Sequence, residues 1–372
     1  MMINPTHQIR IWDLPTRVFH WLLVIAFIVA MLSQGDDRYL DIHVISGYLF
    51  LGLLGFRLIW GIVGSHYVQF SHFAFDWKAV WHYLKTLPTK QREHFIGHNP
   101  AASWAIFLIL GLGLVVSFTG LLTLGGEEQH GPFAGMIGFA LGNSIHEWHE
   151  ITAWLMLGLI SIHIIGVLVE SGLHHENLIK AMITGYKSVP VSVFAQPMSV
   201  QRHGFTTIGL ILVIIVGIIG GYYKPFVGPK LPDNAMWREA CGECHLAYHP
   251  TLLPARSWQR MLAEQHDHFE EDLDLEEETL LEVQTFLITN AAESELTEAA
   301  WNIKHSTPPE KSPLRITKTP YWVEQHQNIA EEIWQHPDVN FQGNCGACHL
   351  DAEQGTFEDA AMRLPSVPDN KS

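Results

Sequence analysis

The chain of 372 residues has only 4 cysteines, and all lie in two copies of one pentapeptide. These are Cys241-Gly-Glu-Cys244-His245 and Cys345-Gly-Ala-Cys348-His349. In C-x-x-C-H the two thiols can bond the vinyl groups of a haem while the adjoining histidine takes one face of the iron. A zinc site or redox dithiol does not require that histidine, and no cysteine is left for a disulfide framework. Cys241, Cys244, Cys345 and Cys348 are therefore expected to carry two covalent c-type haems, with His245 and His349 as proximal ligands. The sixth iron ligand must come from elsewhere. His249, Met261, His266 and His268 are candidates for the first haem, and His305, His326 and His336 for the second. Met261 shares a helical apolar stripe with Trp258 and reads as core.

A second group of histidines falls within or at the ends of long apolar stretches: His20, His43, His149 and His163. The stretches run over Leu14–Leu32, His43–Gly64, Ala101–Leu124, Ile151–Val169 and Thr206–Tyr223. Each is close to the ~20 helical residues that cross a ~30 Å hydrocarbon core. Lys and Arg concentrate in the opening segment (Arg10, Arg17), in the loop of residues 65–100 (Lys78, Lys85, Lys90, Arg92) and in that of residues 170–204 (Lys180, Lys187, Arg202). The intervening segment Gly125–Glu150 has neither. By the bias of positive loops toward the cytoplasm, the amino terminus is cytoplasmic and everything after Tyr223 is outside.

Ionisable side chains at membrane depth point to function. His149 and His163 are separated by 14 residues, which is about 21 Å along a helix and within about 40° of one face. Two ligands on one stripe near opposite membrane surfaces suit two stacked metal centres. Depth then pairs His20 with His163 on the cytoplasmic side, and His43 with His149 on the outer side. His146 lies about 100° off that face. Neutral imidazoles clamping iron inside an apolar bundle would suit two non-covalent b haems. His66, His72, His82, His94, His98, His130, His174 and His175 fall in loops and read as solvated.

The segments WDLPTRVFHWLLV, DIHVISGYLFLGLLGFRLIWGIVG and HEWHEITAWLMLGLISIH resemble the prokaryotic cytochrome b561 family, which includes hydrogenase-type b cytochromes. The resemblance implies a transmembrane four-helix bundle with two b haems that exchange electrons with membrane quinone. His20, His43, His149 and His163 match its ligand positions. Arg17 or Arg57 could neutralise haem propionates, although positive loop placement explains both equally well. The fifth stretch lies outside the four-helix pattern and reads as a tether.

The stretch from CGECHLAYHP through LITNAAE, and that from SPLRITKTPYWVEQH through CGACHLDAEQGTFEDAAMRLP, resemble the periplasmic dihaem cytochromes c. That family implies bis-histidine ligation and relay to small soluble haem proteins. It points to His268 as distal ligand of the first haem and to His326 for the second. Glu270 and Glu271 stand where the family pattern has glycine after His-Phe, which leaves His266 in competition with His268.

The expected architecture is all-α. A b561-like membrane domain occupies residues 1–200, a fifth transmembrane helix and linker residues 201–232, and a small helical dihaem c domain residues 233–372. Charge follows this division. Residues 1–223 carry 11 Lys+Arg against 12 Asp+Glu, whereas residues 224–372 carry 11 against 26. The total of −16 excludes a basic nucleic-acid binder. The acidic runs read as solvated faces, with a docking surface for a basic partner as the sharper alternative. No nucleophile, phosphate loop or nicotinamide fingerprint is evident. The expected function is electron transfer in the bacterial inner membrane, from quinol through b haems and c haems to a periplasmic haem-protein acceptor. Reverse flow that reduces quinone, including superoxide oxidation, and a membrane anchor or relay for a separate oxidoreductase are the alternatives.

Overall fold

The computed structural model describes residues 6–35, 39–73, 76–87, 89, 95–190, 208–209, 211–212, 215, 231–358 and 361–365. The expected fifth span and the linker to Pro232 lie largely outside the described residues. Among those described, four helices are long and apolar enough to cross a membrane. They are α1 (Leu14–Leu32), α2 (Leu40–Val63), α4 (Pro100–Gly126) and α5 (Phe139–His174), with the short α3 (Trp77–Thr86) between the second and third.

α5 is much longer than its apolar stretch suggests. It starts at Phe139 rather than near Ile151, because the polar run Ser144–Glu150 continues in helix. Its 36 residues span about 54 Å, well beyond the ~30 Å hydrocarbon core. Two glycines bring it against α4: a Cβ on Gly126 would meet the Gly142 Cα at 2.5 Å. The outward faces of α5 carry Trp154, Leu155, Ile162, Ile165 and Leu168 in exposed positions, as expected where lipid replaces water.

The chain divides into two compact units, Met1–Gly120 with Glu147–Lys224, and Leu121–His146 with Pro225–Ser372. In the first, α1 and α2 pack through Phe19, Leu53, Phe56 and Trp60. Phe50, Leu54, Leu110 and Met156 form a second apolar cluster. A small antiparallel sheet, unexpected from the sequence, pairs β1 (Thr6–Arg10) with β2 (Tyr186–Pro190), which follows α6 (Leu178–Thr184). Neither strand alternates apolar and polar residues clearly enough to be legible.

Asp13 ties the start of α1 to the end of α2. Its carboxylate is buried and accepts from the Thr16 amide at 2.8 Å as the helix N-cap. It also accepts from the Trp60 indole at 3.2 Å and the Ser65 hydroxyl at 2.8 Å.

In the second unit, α7 (Ala235–Gly242), α8 (Ala255–Ala263) and α9 (Glu277–Thr289) surround Trp237, Leu253, Trp258, Leu262, Val283 and Leu287. α10 (Glu298–Ser306) adds Ala299 and Ile303 to a smaller cluster. The short α11 (Pro320–His326) and α12 (Glu331–Trp334) follow.

Asp13→Ala leaves three buried donors without an acceptor. The first unit should lose roughly 2–4 kcal/mol, read as a lower thermal midpoint of the purified protein in detergent. Asp13→Asn, which keeps one side-chain oxygen, should fall between. An unchanged midpoint in Asp13→Ala would show that the three bonds contribute nothing net.

Candidate functional site

Three pairs of histidine rings lie at nearly the same separation. His43 on α2 and His149 on α5 have centroids 6.1 Å apart. His245 and His268 are 6.4 Å apart, and His326 and His349 are 6.3 Å apart. Two imidazoles on opposite sides of one metal, with bonds of about 2.0 Å, place their centroids about 6.3 Å apart. His20 on α1 and His163 on α5 are near enough to interact electrostatically.

In the membrane unit backbone carbonyls orient two of these histidines. The last turn of α1 leaves carbonyls without helical partners, and the His43 Nδ1–H donates to one of them, Ala30, at 2.9 Å. The His149 Nδ1–H donates to the Val116 carbonyl of α4 at 3.0 Å, and Thr119 Oγ1 lies 3.2 Å from the same nitrogen. Each bond fixes the tautomer and leaves Nε2 for a metal. A Cβ on Gly120 would meet the His149 Cε1 at 2.9 Å, so glycine gives the ring its room. His146 turns elsewhere, with Nδ1 2.9 Å from Glu127.

In the second unit the His245 Nδ1–H donates to the Leu246 carbonyl at 2.7 Å, and that of His326 to the Trp322 carbonyl at 2.8 Å. Trp322 stacks on His326 with centroids 4.3 Å apart. Burial is the main cause that pushes His268, His326 and His349 below the ordinary histidine range, which favours the neutral form that a metal would require. The other sequence candidates are engaged differently. His266 is exposed with Nδ1 2.9 Å from Asp272. His305 donates to the Trp301 carbonyl at 2.8 Å, and His336 lies 3.6 Å from Asp338. Met261 packs into the core. After His268 the chain turns through Phe269 (φ 58) and Glu270 (φ 81). This left-handed backbone is where glycine would be unstrained, and the Arg315 guanidinium covers Phe269 at 4.1 Å.

The comparisons follow the same division. Residues 11–185 match the family described as Prokaryotic cytochrome b561, and residues 237–357 match Dihaem cytochrome c. This chain is a cytochrome b561 fused to a dihaem cytochrome c. Among curated relatives, the Probable Ni/Fe-hydrogenase 1 B-type cytochrome subunit of Escherichia coli (strain K12) is 26% identical over 211 residues, 48% of this chain and 90% of that protein. The Probable Ni/Fe-hydrogenase B-type cytochrome subunit of Azotobacter vinelandii is also 26% identical, over 48% of this chain and 88% of its own. Among solved structures, the diheme cytochrome c from Rhodobacter sphaeroides is 32% identical, over 34% of this chain and 98% of that one, at a TM-score of 0.31. The diheme cytochrome type c from Shewanella baltica OS155 is 27% identical, over 37% and 96%, at 0.29.

Both families imply haem, and the residues of the b561 region fit it. Among the buried polar atoms without a hydrogen-bond partner are Arg57 Nη1 and His98 Nδ1. Arg57 is buried, lies 4.5 Å over the Phe70 ring and donates from Nη2 to the Val68 carbonyl. A buried guanidinium with a spare donor suits an anionic propionate. Arg17 donates to the Ile183 carbonyl at 2.6 Å, and its Nε is likewise buried without a partner. Two loop histidines read as solvated are not. His98 packs on Trp12 at 4.8 Å and Phe73 at 4.5 Å. His174, the last residue of α5, lies 3.6 Å from Glu170 with its side chain 9% exposed. Neither sits in an apolar periodic stretch, so no local signal marks them.

His249 is buried in the dihaem region. The Thr251 hydroxyl lies 2.9 Å from its Nδ1, and Nε2–H donates to the Pro232 carbonyl at 3.2 Å. Burial, assisted by Arg238 and opposed by the Pro232 bond, lowers its pKa to about 4. Between pH 6.5 and 4 the unfolded chain therefore takes up a proton that the folded chain refuses, and stability falls as pH falls. The thermal midpoint of this region should drop across that window, and less steeply in His249→Gln. Equal slopes would remove His249 as a source.

Gly120→Ala should displace His149 and lower b-haem content at unchanged c-haem content, read from the b/c ratio of the pyridine haemochrome. A normal ratio would show that the ring tolerates the methyl.

Proposed function

We propose that this chain conducts electrons across a bacterial cytoplasmic membrane, from quinol to a haem-protein acceptor on the outer side. Three histidine pairs at 6.1, 6.4 and 6.3 Å, on scaffolds of two electron-transfer families, carry the reading. His20 with His163 would hold a b haem toward the cytoplasm, and His43 with His149 a second toward the outer face. His245 with His268 and His349 with His326 would hold two c haems, tethered by Cys241, Cys244, Cys345 and Cys348. When bound, haem supplies one-electron chemistry at its iron. Quinol releases two electrons and two protons as it becomes quinone, so a chain of one-electron sites must accept its electrons singly. The contrast between positive loops and Lys/Arg-free Gly125–Glu150 supports a cytoplasmic amino terminus and a periplasmic dihaem region.

The names of the b-type relatives support a second reading, a membrane relay for a separate oxidoreductase. Co-purification of a large catalytic subunit would favour it.

Anaerobic addition of a quinol analogue to the purified protein should reduce both the b and c absorption bands. If neither is reduced, quinol oxidation is wrong. His163→Ala should lose one of two b haems, and retention of both would break the assigned pairing.

A further inference from the structure

Tyr248 lies three residues past the first pentapeptide histidine and belongs to no ligand set. Its ring stacks on that of His245, with centroids 4.9 Å apart and planes 27° apart. Its hydroxyl donates to the Gly343 carbonyl at 2.7 Å. The same carbonyl accepts from the Cys345 amide at 2.9 Å, and the Cys345 sulfur lies 3.5 Å from it. One side chain therefore touches the proximal histidine of the first motif and, through a single carbonyl oxygen, the first cysteine of the second.

The contact is locked from both flanks. A Cβ on Gly343 would meet the Tyr248 hydroxyl oxygen at 2.9 Å and the Phe341 ring at 2.6 Å. The next residue, His249, seats the chain beyond the second motif: a Cβ on Gly355, which has φ +76, would meet its side chain at 2.5 Å. Tyr248 and His249 thus clasp the second motif before Cys345 and after His349. Arg238 reaches the Glu353 carbonyl at 3.5 Å from the same side.

We propose that Tyr248 is the positioning residue that couples the two c-haem sites, setting the second site's polarity and its spacing from the first. This rests on the reading that both pentapeptides carry haem. A donor on the Gly343 carbonyl withdraws electron density beside the Cys345 attachment, and such hydrogen bonds around a haem are one lever on its potential. The ring stack holds the His245 imidazole against the same hydroxyl-bearing side chain, so a change at one site is felt at the other.

The test uses the full-length holoprotein and the variants Tyr248→Phe, Tyr248→Leu and Gly343→Ala. Mass and pyridine haemochrome first count the c haems. A wild-type protein lacking two would overturn the dihaem reading rather than the role of Tyr248. Spectroelectrochemical titration then reads both c haems, and pulse radiolysis the electron equilibration between them. Tyr248→Phe keeps the stack and loses the donor. It should change the reduction equilibrium of the second haem by about three- to tenfold, the upper end being ~59 mV for one electron, and the first haem less. Gly343→Ala, which displaces the hydroxyl and keeps the tyrosine, should shift the second haem likewise. Tyr248→Leu should shift both and slow equilibration about tenfold. If Tyr248→Phe fails to accumulate, Gly343→Ala alone decides. Wild-type potentials and equilibration rate in every variant that retains both haems would overturn the proposal.

Discussion

Two imidazoles that share one metal must face each other across about 6 Å, each with one nitrogen inward and the other held from behind. Much of this structure follows from that constraint. A histidine ring on a helix turns about two bonds, and an apolar interior offers little to stop it. For four of the rings the stops are backbone carbonyls: Ala30 for His43, Val116 for His149, Leu246 for His245 and Trp322 for His326. Ala30 is available because α1 ends at Leu32, which leaves its last carbonyls open. The place where a helix stops is thus part of the site.

The two regions meet the same demand by different means. In the b561 region the candidate histidines lie on α1, α2 and α5, with α4 as support. Their alignment rests on helix packing, on small residues such as Gly120 and on the Asp13 hub. In the dihaem region covalent attachment would localise each haem, and the protein around it can be small and sparse in regular structure. Short helices and turns suffice, even a turn with Phe269 and Glu270 in left-handed backbone.

Charge is divided in the same way. The membrane half is nearly neutral, and the buried Asp13 carboxylate is compensated locally by its three donors. Nearly all of the net −16 lies in residues 224–372, where water can screen it.

Sequence alone determined the features that depend on local order or on depth in a bilayer. The two pentapeptides, the four described spans and the spacing of His149 and His163 on one stripe are all of this kind. Helical period and hydrocarbon thickness fix those relations without knowledge of neighbours. Tertiary structure decided what depends on distant partners: the sheet between residues 6–10 and 186–190, the burial of His98 against Trp12 and Phe73, and the room that Gly120 leaves for His149. It also brought His268 rather than His266 opposite His245, and set Tyr248 against a carbonyl 95 residues away. None of these has a local signature, because a hydrogen bond or steric contact across the fold depends on where the chain returns.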